Sequence, residues 1–151
     1  MKKKPEIAGG ISGTPTVLSV SPLEEDHEFL QGIIHHSTWN LLHARDLASG
    51  LALSQQHEVS VVLCERSLPP VTWIDVLDHM NTLPHPPSLI VTSRLADDQL
   101  WSVALNLGAW DVLAKPFDRN EVIHSLKSGW QRWHDLIQKP ATGVKVMTAA
   151  S

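Results

Sequence analysis

Two runs in this chain are apolar almost from end to end: Val59-Ser60-Val61-Val62-Leu63-Cys64 and Ser88-Leu89-Ile90-Val91-Thr92. A strand with one wet face carries a polar residue at every second position. These runs do not, so both of their faces must be covered. Three shorter strand candidates accompany them: Thr16-Val17-Leu18-Ser19-Val20, Asn40-Leu41-Leu42-His43-Ala44 and Asp111-Val112-Leu113-Ala114. The segments 23–37, 46–57, 74–82, 96–107 and 119–138 between and after them read as helices. In the last of these Val122, Leu126, Trp130, Trp133 and Ile137 recur at helical spacing and form one apolar stripe.

Five repeats of strand then helix predict a parallel sheet with helices on both faces. Right-handed crossovers leave few arrangements, of which the doubly wound order 2-1-3-4-5 is the common one for five strands. The functional crevice of such a sheet lies at the carboxyl ends of its strands. That singles out Ser21-Pro22, Glu65-Arg66, Thr92-Ser93 and Lys115-Pro116.

The 151 residues suit one domain. Residues 1–15 and 139–151, rich in Pro, Gly and small residues, read as flexible tails around a folded part at 16–138. The net charge of −4 argues against a nucleic-acid partner. No apolar run is long enough for a membrane span. Lys2-Lys3-Lys4 is followed by Pro5-Glu6, not by the apolar stretch of a signal peptide. The single Cys64 allows no internal disulfide and no cysteine zinc cluster, and a cytoplasmic location is expected. Cys64 reads as inert core. The nine histidines show no metal-ligand spacing and read as surface residues.

The segments Val17-Leu18-Ser19-Val20-Ser21-Pro22, Val62-Leu63-Cys64-Glu65-Arg66-Ser67-Leu68-Pro69, Leu89-Ile90-Val91-Thr92-Ser93 and Gly108-Ala109-Trp110-Asp111-Val112-Leu113-Ala114-Lys115-Pro116-Phe117 resemble the receiver domain of bacterial response regulators. The resemblance covers about residues 16–135, and its last motif is the most specific. It implies a single flavodoxin-like domain with five helices, and a role in two-component or phosphorelay signalling. Receivers accept a phosphoryl group from a histidine kinase on an aspartate at the end of the third strand, with Mg²⁺ held by an acidic pair after the first. A hydroxyl after strand four and a lysine after strand five hold the phosphoryl oxygens. The resemblance further implies a cis Lys115-Pro116 bond.

The chain departs from that pattern where the chemistry lies. Ser21-Pro22 stands at the acidic pair, Glu65 at the phosphoacceptor and Val112 at the switch aromatic. Trp73 replaces a loop glycine, while Thr92 and Lys115 are retained. Ser21-Pro22-Leu23-Glu24 fits a capping box, with Ser21 at N-cap, Pro22 at N1 and Glu24 at N3. Glu24, Glu25 and Asp26 would then suit the first-turn dipole, a reading preferred over a rebuilt Mg²⁺ site. Glu65 admits two readings: a fixed mimic of the phosphorylated state, or a salt bridge that only neutralises Lys115. One carboxylate carries less charge than a phosphoryl group, which bears about −1.5 to −2.

Six tryptophans occur without any tyrosine. In receivers the face of helix four, strand five and helix five is the usual docking and dimerisation surface, and aromatic anchors suit an interface. Trp101, Trp110, Trp133 and Ile137 are the candidates, with Trp110 and Val112 expected on one face and Trp130 in the core. The expectation is a stand-alone atypical receiver, or pseudo-receiver: not an enzyme, without cofactor or metal, and acting on a histidine kinase, another regulator or a second copy as a homodimer. The alternatives are a working phosphoacceptor with an unusual site and a small-ligand sensor using the vacated crevice.

Overall fold

The computed structural model describes residues 14–138. The tails expected at 1–15 and 139–151 lie, apart from Thr14 and Pro15, outside the described residues. The elements in chain order are β1 (Thr16–Val20), α1 (Glu24–Ile34), β2 (Asn40–Ala44), α2 (Leu47–Gln56), β3 (Val61–Glu65), β4 (Ser67–Leu68), β5 (Val71–Thr72), α3 (Trp73–Met80), β6 (Ser88–Ser93), α4 (Asp98–Leu107), β7 (Asp111–Ala114) and α5 (Arg119–Gln138).

The five long strands are all parallel in the order β2-β1-β3-β6-β7, which is 2-1-3-4-5 when only they are counted. The predicted doubly wound fold is thus the observed one. The short strands β4 and β5 form a separate antiparallel hairpin that the sequence reading did not anticipate.

Strand parity divides the sheet's side chains between two cores. Leu18, Val20, Val62, Cys64, Leu89, Val91 and Val112 pack with residues of α3 and α4 such as Val76, Met80, Leu100 and Ala104. Val17, Val61, Leu63, Ile90 and Leu113 pack with Leu30, Ile33 and Ile34 of α1 and Val122 and Leu126 of α5. β3 and β6 are buried on both faces, as their composition requires. Trp73 is buried in the first of these cores.

Helix ends follow local chemistry. Asp46 and Asp97 accept N3 backbone N–H groups at the starts of α2 and α4. Thr72 and Asp75 make the reciprocal capping box of α3. Gly108 ends α4 with φ 107°, a left-handed conformation that a side chain would strain. Gly129 lets α5 approach the sheet: an added Cβ would stand 3.4 Å from Ser88, Trp110 and Val61 at once. No described helix is long and apolar enough to cross a membrane.

Candidate functional site: a buried ion cluster at the strand ends

The same parity aims Ser19 and Ser21, at the end of β1, toward the α1 side of the sheet. Ser21 is not a helix cap. Its backbone N–H donates to Ala44 O at 2.9 Å, which keeps it in the sheet. The helix therefore begins later, with Leu23 at N-cap and no side-chain cap bond. This corrects the capping box expected at Ser21, Pro22 and Glu24. The Ser21 hydroxyl oxygen accepts from Leu23 N at 3.0 Å and donates to Asp26 Oδ2 at 2.7 Å.

Asp26 is a buried pocket residue. Lys115, at the end of β7, donates from Nζ to the same Asp26 oxygen at 2.6 Å. Lys115 Nζ also lies against Glu65 Oε1, at the end of β3, as a close ion pair. That second contact lacks hydrogen-bond geometry, so Glu65 Oε1 has no hydrogen-bond partner among the described residues. Glu65 Oε2 accepts from Ser67 N at 3.2 Å. The side chains of Lys115, Asp26 and Glu65 are 5%, 6% and 13% exposed, so this ion cluster is out of water. Burying such charges is costly unless each has a partner, and here one ammonium serves two carboxylates. Thr92, buried at the end of β6, is the direct neighbour of Glu65 in the β3–β6 register.

Phe117 follows the cis Lys115-Pro116 bond, its ring centroid 6.0 Å from Lys115 Nζ. It leans on Phe29 of α1 with centroids 5.4 Å apart. Behind Asp26, His27 is fully buried. Its Nε2 donates to the Ser21 carbonyl and its Nδ1 pairs with the Ser19 hydroxyl, both at 2.9 Å. The His27 ring stacks on His43 at 4.9 Å. Burial and the neighbouring His27 lower the pKa of His43, and Glu24 partly opposes this. His27 is therefore no surface residue. Cys64 is buried core, and burial together with Glu65 pushes its thiol pKa far up.

A divalent ion such as Mg²⁺ needs near-octahedral oxygen ligands. Here the inward oxygens of Asp26 and Glu65 are both engaged by the ammonium, and one of them also takes the Ser21 proton. Pro22 has no side-chain ligand to add. Among the described residues no three His, Cys, Asp or Glu side chains converge as a metal site.

The structure thus brings Ser21, Asp26, Glu65, Thr92 and Lys115 to one end of the sheet. Val112 is elsewhere, buried in the α4-side core. Nor does Val112 share a face with Trp110, as expected: Trp110 precedes the strand, where alternation no longer holds. Trp110 turns to α5, donating from Nε1 to Ser128 Oγ at 3.0 Å under the Arg132 guanidinium, 5.5 Å from the ring. Trp101 and Trp110 remain 37% and 38% exposed. Trp133, expected at a surface, is buried. The helix does outrun the sheet, but the loop between α3 and β6 covers that stretch, and Trp133 Nε1 donates to His85 O at 3.3 Å. Trp130 and Ile137 are partly buried.

Asp26 is the site residue that the sequence reading misplaced. The signal was present: Asp26, Leu30 and Ile33 recur at steps of four and three, so Asp26 lies on the buried stripe of α1.

A parallel five-stranded sheet with a lysine, a hydroxyl and carboxylates at its carboxyl ends defines a signalling receiver fold. Residues 24–127 match the response regulator receiver domain family, and the chain belongs to it. It is 28% identical over 113 residues to the "Uncharacterized transcriptional regulatory protein YcbL" of Bacillus subtilis, covering 73% of this chain and 50% of that protein. Against the "Probable transcriptional regulatory protein TcrX" of Mycobacterium tuberculosis it is 29% identical over 115 residues, covering 75% and 48%. The chain spans about half the length of these curated relatives. The signal receiver domain of an HD domain-containing protein from Pseudomonas fluorescens Pf-5 matches with a TM-score of 0.73 and 25% identity, covering 81% of this chain and 98% of that one. The Borrelia burgdorferi CheX-CheY-BeF3-Mg²⁺ complex matches with a TM-score of 0.69 and 23% identity, covering 77% and 90%.

Proposed function

We propose that this receiver domain is an atypical one, a pseudo-receiver that signals by protein–protein contact without the Mg²⁺-dependent phosphoryl cycle. The observation that carries this reading is the position of Lys115 Nζ, which lies between Asp26 and Glu65 and offsets part of their charge from within the fold. In this reading Glu65 stands at the phosphoacceptor position, Ser21-Pro22 at the acidic pair, and Val112 at the switch aromatic. Thr92 and Lys115 are retained, Lys115 for the pocket's charge balance and Thr92 as a buried neighbour of Glu65. The chain has no enzymatic role and needs no cofactor, works in the cytoplasm, and engages a histidine kinase, another regulator or a second copy.

The contact face in this reading is α4, β7 and α5, anchored by the exposed rings of Trp101 and Trp110, with Ile137 at its far end. Trp133 is withdrawn from that face because it is buried. Large aromatic and arginine side chains are the residue types that dominate interface energetics, and Arg132 lies over Trp110.

A second reading has one observation in its favour. Asp26 puts a carboxylate back beside Glu65, which a rebuilt phosphoacceptor site would also require. Intact-protein mass spectrometry after incubation with Mg²⁺ and acetyl phosphate separates the two. The pseudo-receiver reading expects no phosphoryl adduct. A stoichiometric, Mg²⁺-dependent adduct that Asp26→Asn abolishes would establish the rebuilt site instead.

A further inference from the structure

A hollow of about 210 Å³ opens between the end of α1 and the first half of α5. Its floor and walls are apolar: Ile33, Ile34, Trp39, Ile123 and Leu126. Its rim is basic, with Arg119 and Lys127 from α5 and His36 from the end of α1, and no carboxylate lines it. Arg119 and Lys127 are exposed, and neither has a carboxylate within ion-pair distance among the described residues. Arg119 is also the first residue of α5, where the helix dipole adds partial positive charge.

We propose that this hollow binds a small aromatic carboxylate, a ligand site separate from the strand-end cluster. Size limits the body of the ligand. An apolar cavity of about 150 Å³ accommodates benzene in another protein, whereas sites for drug-sized ligands run from about 300 Å³ upward. One ring or a fused pair fits within the hollow. Charge fixes the head group. Two unpaired cations beside an apolar wall favour an anion with an apolar body and disfavour a cation of the same shape. The Trp39 ring supplies a flat aromatic surface for the ring system. This inference does not depend on whether Glu65 accepts a phosphoryl group.

The test is titration of the full chain with naphthoate, followed by backbone amide NMR. Naphthamide serves as the neutral isostere and naphthylmethylamine as the cationic one. Saturable naphthoate shifts are expected at residues 33–39 and 119–127. The amide should bind several-fold more weakly and the amine not at all. Replacing both rim cations, Arg119→Gln with Lys127→Gln, should weaken naphthoate about three- to tenfold. Ile123→Trp should fill the hollow and block binding while leaving the urea midpoint close to that of the parent. Binding of naphthamide as tight as naphthoate would overturn the assignment, as would shifts mapping elsewhere. No saturable shift up to the solubility limit would also overturn it and leave the hollow to a protein partner.

Discussion

Two lysines of this chain show how much context decides what a charge does. Lys115 is buried at the strand ends and shared by Asp26 and Glu65. Lys127 stands on the rim of the α1–α5 hollow with no carboxylate partner among the described residues. The first charge is committed to the interior. The second remains available to a ligand. At the strand ends the cation is already paired within the fold, whereas at the hollow it is not.

The largest expected effect breaks the closed side. Lys115→Met leaves two carboxylates buried together without a cation and should cost about 3–5 kcal/mol in urea unfolding. Lys127→Met should stay within about 0.5 kcal/mol, as an ordinary surface change does. Equal effects for the two would erase the distinction between them. Asp26→Asn should cost less than Lys115→Met, about 1–3 kcal/mol, because Lys115 keeps Glu65 while losing one charged partner. Ser21→Ala in the Asp26→Asn background should cost less than in the parent. The Ser21 hydroxyl stabilises chiefly through that carboxylate, and a double-mutant cycle reads the coupling.

A smaller effect checks the helix starts. Thr72→Ala should cost about 1 kcal/mol by removing the capping box of α3. The smallest expected effect concerns pH. His43 has its folded-state pKa below the ordinary 6.5, so the unfolded chain takes up that proton first. Its contribution to stability is present above 6.5 and is lost as pH falls below that value and through the lower folded-state pKa. His43→Gln should therefore flatten the acid side of the stability profile slightly. A steeper acid loss in the variant would contradict the lowered pKa of His43.

Much of the fold could be read before the structure. β1, β2, β7 and α5 begin and end where hydrophobic periodicity places them, because each combines a clear period with polar or Gly/Pro breaks. The residues gathered at the carboxyl ends of the strands follow from topology alone. Two things did not follow. The start of α1 depended on whether Ser21 stayed bonded to β2, which is a tertiary hydrogen bond and leaves no local signature. The fate of Trp133 depended on the loop between α3 and β6, whose path no periodicity describes. Asp26 is different, because its place on the α1 stripe was visible. Its signal is masked by Glu24 and Glu25, because three consecutive acidic residues at a helix start also suit the helix dipole.

The most direct test of the central claim is the thermal stability of the chain in Mg²⁺ against NaCl of matched ionic strength. A ligand that binds only the native state raises stability in proportion to the logarithm of its occupancy ratio. If Lys115 fills the cationic role in this pocket, Mg²⁺ should produce no saturable rise in Tm beyond the salt control. A saturable Mg²⁺-dependent rise that disappears in Asp26→Asn would contradict the account and return the pocket to metal-dependent chemistry.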